Sequence, residues 1–138
     1  MKLNTTKISP SLLNAGLLML RVILGGLMIA NHGWIKIIKY DILKTEFLDL
    51  FGLGSNVSLI LAIVGEVLCS LLLILGLYTR FALIPLIITM LVAIGTHGWD
   101  IFGKAELGFL YLIGFIFLLL VGPGQNSIDA KVNKRSFY

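Results

Sequence analysis

Charge is what this chain has least of. Asp, Glu, Lys and Arg make up 13% of its 138 residues, against about a quarter in ordinary soluble domains. With 58% hydrophobic residues beside so few charges, a water-solvated globule with a polar shell is excluded, and lipid becomes the expected solvent. A single cysteine, Cys69, rules out an internal disulfide or CxxC pair, and with them thiol-based electron relay within the chain. The two histidines, His32 and His97, stand far apart, so neither HxxxH nor HExxH spacing marks a metal site. Gly-rich phosphate loops and nucleophile elbows are missing as well. The net charge of +4 comes without a basic patch interleaved with aromatics, which argues against nucleic acid as a partner.

What is present is apolar sequence in long runs. None of the runs carries a polar stripe at helical spacing, so each reads as a helix facing lipid or buried in a bundle. The expected fold is an all-α integral membrane protein, one domain over 1–138, with an up-down bundle of four transmembrane helices. The helices are expected at about 12–31, 57–77, 81–98 and 105–122. The N-terminal run is too long for a signal peptide and carries Arg21, so it is expected to be a retained first helix. "GLYTR" at 76–80 makes a tight hairpin, and "GPG" at 122–124 stops the last helix. The connection 35–56 mixes apolar and charged residues; it is read as an interfacial amphipathic segment or as an extension of helix one.

Basic residues suggest an orientation. Lys2, Lys7, Arg80, Lys131, Lys134 and Arg135 would share one side, and Lys36, Lys39, Lys44 and Lys104 the other. That bias places both termini in the cytoplasm. Small-xxx-small spacings at Gly26/Ala30 and Gly65/Cys69 are expected to serve helix packing, and Pro85 to fall in the first turns of its helix.

Two short phrases hold both histidines and both tryptophans: "NHGW" at 31–34 and "THGW" at 96–99. Each is expected at an outward helix end, so the chain can be read as two hairpins in parallel pseudo-repeat. Polar residues occupy two depths. Arg21 and Glu66 both fall roughly 14–17 Å from the inner surface at about 1.5 Å per residue, which predicts an Arg21–Glu66 ion pair. It would fix helix register or anchor a ligand. Arg21, Gly25, Met28 and His32 share one face of helix one; Leu86, Met90, Ala93 and His97 form the matching face of helix three. The outer layer would gather His32, His97 and Glu106, with Asp100 nearby. Three readings compete there: aromatic-belt and helix-end structure, a quinone or other small-ligand site, and a metal or haem site.

The segments "LMLRVILGGLMIANHGWIKI", "VGEVLCSLLLILGLYTRFALIPLIITMLVAI" and "LLLVGPGQNSIDA" together resemble the DoxX family of small four-helix membrane proteins. The resemblance runs from about Leu17 to Ala130. It implies a bundle in a bacterial cytoplasmic membrane and, through the DoxD-type subunit of thiosulfate:quinone oxidoreductase, quinone-linked redox chemistry. Ligand-binding candidates are then Arg21, His32, Glu66, His97 and Glu106. The expectation is a subunit binding a quinone or similar lipophilic ligand, with haem a weaker candidate. A membrane oxidoreductase subunit is the enzymatic form of that reading, and a partner redox subunit or a homo-oligomer would accompany it. A non-catalytic accessory or assembly subunit is the alternative.

Overall fold

The computed structural model describes residues 8–50 and 52–135; Lys2 and Lys7 of the charge count, and Phe51, lie outside the described residues. All regular structure among the described residues is helical. Helix α1 spans Pro10–Ile38, α2 Tyr40–Glu46, α3 Ser55–Leu75, α4 Thr79–Thr96, α5 Glu106–Val121 and α6 Ile128–Arg135. Helices α1, α3 and α4 are long and apolar enough to cross a membrane; α5 is apolar but has 16 residues. α1 packs on α3, α3 on α4, α4 on α5 and α5 back on α1, closing a ring.

Each boundary has a local cause. Ser9 caps α1, its hydroxyl accepting the Leu12 N–H at 3.2 Å, and Pro10 follows in the first turn, where its missing N–H costs nothing. Helix α3 ends in a Schellman turn: Leu77 N–H reaches the Leu72 carbonyl at 3.0 Å and Gly76 N–H the Leu73 carbonyl at 3.1 Å. Helix α4 ends the same way, Trp99 N–H bonding the Ile94 carbonyl at 3.1 Å and Gly98 N–H the Gly95 carbonyl at 3.0 Å.

The buried face of α1 is Leu17, Arg21, Gly25 and Met28, as its spacing predicts. On α4 the buried face includes Leu86 and Met90 but ends on Ile94, not Ala93 and His97. Leu73, Leu83, Leu86, Phe115 and Leu118 fill the centre of the ring. Outward positions stay apolar: Phe81 and Leu120 are each 74% exposed, a surface that suits lipid and not water.

Three expectations are corrected. Helix one does not end at "NHGW" but runs about two turns further, to Ile38, its ladder passing through a π-turn at Ile29–Gly33. The two "HGW" phrases therefore have unlike backbones: the first is helix interior, the second a helix stop. Gly26 and Ala30 face outward, and the close approach of α1 to α3 falls instead on Gly25, whose Cβ would lie 3.0 Å from the Ser70 carbonyl oxygen. Pro85 sits inside α4, beyond its first turn.

Candidate functional site

Arg21 is completely buried. Its Nη2 donates to the Asn126 carbonyl at 2.7 Å, and Nη1 points at the Leu73 carbonyl at 3.4 Å. Both acceptors are backbone carbonyls at helix ends: Leu73 in the last turn of α3, which also accepts the Gly76 N–H, and Asn126 between α5 and α6. Such carbonyls must find donors when water is excluded. Gly76 lies directly over the guanidinium. A Cβ there would run into Arg21 Nη1 and lie 2.5 Å from Ser127 Cβ, and the backbone is left-handed at φ +68°. Asp129 closes the knot. Its N–H donates to the Gly76 carbonyl at 2.8 Å. Its carboxylate accepts the Tyr78 N–H at 2.7 Å, the Thr79 N–H at 2.9 Å and the Thr79 hydroxyl at 2.8 Å. "GLYTR" and "GPG…S.D" are thus two halves of one structure, with Arg21 joining them.

The expected Arg21–Glu66 pair does not form. Gly25 packs beside Ser70 and Ile74, and Gly33 beside Glu66 and Val67, which sets the antiparallel register of α1 and α3. In that register Arg21 stands level with the α3–α4 hairpin, and Glu66 lies well over two turns further along the axis. Depth counted from helix ends misplaced the arginine because α1 begins about three turns before the level at which α3 ends.

Glu66 has a different partner. It is 1% exposed within a π-turn at Val64–Leu68, and Lys36 Nζ donates to both carboxylate oxygens, at 2.5 and 2.6 Å. Lys36 reaches it because α1 continues past His32. One turn earlier, His32 sets its ring edge against Tyr111, centroids 5.8 Å apart and planes at 87°. His32 Nε2 is buried without a hydrogen-bond partner. The π-turns at 29–33 and 64–68 pack on one another, and Gly33 permits it: a Cβ there would lie 2.5 Å from Val67 Cγ2. π-turns widen a helix by one residue and recur at functional sites.

His32, Lys36, Glu66 and Tyr111 therefore form one cluster. His97 and Glu106 stand apart and exposed, His97 in the α4 stop and Glu106 in the first turn of α5. No hydrogen bond, ring contact or ion pair links either to His32 or Glu66 among the described residues, and no group of three or more His, Cys, Asp or Glu there could hold a metal ion. Lys36 and Tyr111 escaped the sequence reading. Lys36 follows His32 at i+4, a spacing that means something only once α1 is extended. Tyr111 is the one hydroxyl-bearing residue of α5.

A mycobacterial relative, described as an uncharacterized membrane protein of Mycobacterium tuberculosis, is 38% identical over 88 residues, covering 53% of this chain and 54% of the relative. The chain thus spans about half the length of the curated relative it matches. No solved structure matches it significantly. The DoxX family model matches residues 16–99, more than half of the sequence and including Arg21, His32, Lys36, Glu66 and Gly76, so the chain is a membrane protein of the DoxX family.

Proposed function

We propose that this protein is a four-span subunit of a bacterial cytoplasmic membrane, its termini in the cytoplasm, that binds a lipophilic carbonyl-bearing ligand of the quinone class. The observation that carries this reading is the buried, unpartnered Nε2 of His32 beside Tyr111. A buried imidazole nitrogen without a partner is costly, and a ligand oxygen would relieve the cost. A ligand of this class fits the donors available: His32 Nε2 and Lys36 Nζ lie one turn apart on α1, with Glu66 holding the ammonium in place. A bound quinone would supply two-electron, two-proton chemistry. His32 would hold or pass a proton at Nε2, and the Lys36–Glu66 pair would balance charge developing next to it. Arg21 lies outside that cluster, its Nη1 and Nη2 on backbone carbonyls at the α3–α4 hairpin and its Nε buried without a partner.

Mass spectrometry of lipids co-purified in mild detergent, with thermal stability measured on adding menaquinone, tests the reading. A retained quinone and a raised melting temperature, both lost in His32→Ala, are expected. No retained quinone and an unchanged melting temperature would overturn it. One observation favours the accessory-subunit alternative: the most buried ion of the bundle, Arg21, donates to backbone carbonyls that join helix ends. Under that alternative, crosslinking in native membranes would recover a stoichiometric partner even from the double variant His32→Ala/His97→Ala.

A further inference from the structure

A second region of the molecule has the makings of a ligand site. Between the α3–α4 hairpin and α6 lies an open cleft of about 630 Å³, walled by Tyr78, Arg80, Phe81, Pro123, Asp129 and Val132. We propose that this cleft holds the phosphate of an anionic phospholipid, with Arg80 as the anchoring cation.

The depth is right for a headgroup. The cleft lies where α3 and α4 both end, so it opens where hydrocarbon gives way to water. Its walls change character along the membrane normal. Phe81, 74% exposed, and Val121, 45% exposed, continue down the bundle as a surface an acyl chain can cover. Above them Arg80 extends over the Gly122 backbone, and no carboxylate pairs with it among the described residues. An exposed guanidinium at this depth, above an apolar wall, matches a phosphodiester bidentately. Lys131, exposed in the first turn of α6, adds a second positive charge on the same side.

Asp129 is the one carboxylate in the cleft wall, and it does not oppose the assignment. Both its oxygens already accept hydrogen bonds, from the Tyr78 and Thr79 N–H groups and the Thr79 hydroxyl. A free phosphate could meet the same cation, but only a lipid would also cover Phe81 and Val121.

The test uses the full chain reconstituted into phosphatidylcholine vesicles with and without phosphatidylglycerol. Native mass spectrometry would read lipid retained after extraction, and thermal unfolding would read protection. Wild type is expected to retain phosphatidylglycerol over phosphatidylcholine and to melt higher in its presence. Arg80→Gln should reduce phosphatidylglycerol retention about fivefold, Lys131→Gln by less, and Arg80→Lys should recover part of the loss. Equal retention of the two lipids by wild type would overturn the proposal, as would undiminished phosphatidylglycerol retention in a folded Arg80→Gln. So would inorganic phosphate protecting the detergent-solubilised protein as well as phosphatidylglycerol does, which would assign the cation to a soluble anion.

Discussion

At the scale of single residues, the buried ions divide by what they satisfy. Arg21 donates to two carbonyls at helix ends, that of Asn126 and that of Leu73, which already accepts the Gly76 N–H, so its value lies in the planar fork of the guanidinium and not in charge alone. Arg21→Met should cost about 3 kcal/mol, since the Asn126 carbonyl would lose its donor and the Leu73 carbonyl its second one. Arg21→Lys should recover less than half, because one ammonium cannot reach both acceptors. Equilibrium unfolding in mild detergent checks this; a lysine variant of wild-type stability would refute the two-carbonyl geometry. Lys36 and Glu66 behave differently, as an ion pair whose members depend on each other. Lys36→Met alone should destabilise by about 3 kcal/mol by stranding Glu66, whereas Lys36→Met with Glu66→Leu should return to within about 1 kcal/mol of wild type. A double variant no better than the single would show that the carboxylate has another partner.

Among the helices, glycine separates packing from conformation. Gly26 faces outward with nothing near its missing Cβ, so Gly26→Ala should be neutral or gain up to about 0.8 kcal/mol from helix propensity. Gly33 is helical but presses on Val67, whose branched side chain cannot swing away freely, and Gly33→Ala should cost about 1–3 kcal/mol. Gly98 has open space but a backbone at φ +65°, and Gly98→Ala should lose about 1–2 kcal/mol by strain alone. Ranking the three melting temperatures as Gly26→Ala above Gly98→Ala and Gly33→Ala tests both arguments. If Gly33→Ala matched wild type, the contact of the two π-turns would be looser than described. These differences explain why identical "HGW" phrases do unlike work. After Trp34 come "IKII", residues that prolong a helix; after Trp99 comes Asp100, whose carbonyl and carboxylate bind the N–H groups of Ala105 and Lys104 and hold the chain in turns.

Across the whole molecule, the short C-terminal helix α6 locks the bundle. Asp129 ties α6 to the α3–α4 hairpin, and the carbonyl just before α6 holds Arg21, so α1, α3, α4 and α6 meet at one knot. Asp129→Ala should open that end locally. Hydrogen exchange at the Tyr78 and Thr79 amides is expected to quicken about tenfold or more, with little change near Leu86 and Met90. Unchanged exchange at the hairpin would mean that the carboxylate does not hold it. The family match ends at Trp99, yet the residues that complete the Arg21 knot, Asn126 to Asp129, come after it.

Much of this organisation is legible in the amino-acid sequence. The lack of charge names lipid as the solvent, apolar runs mark the helices, and Gly76 and Gly122 mark their ends. Arg21 and Glu66 stand out because an ion inside an apolar run is expensive and must be compensated. These features are local, and each follows from a residue and its near neighbours. What only the tertiary structure decided is who compensates whom. Pairing across antiparallel helices depends on axial register, and a shift of a few residues exchanges one partner for another. Here the register gives Arg21 to backbone carbonyls, Glu66 to Lys36 and His32 to Tyr111, and it leaves His97 and Glu106 at the surface. Register is set by where glycines let helices touch and by how far α1 continues past His32. Both are properties of the packed bundle and not of any one segment.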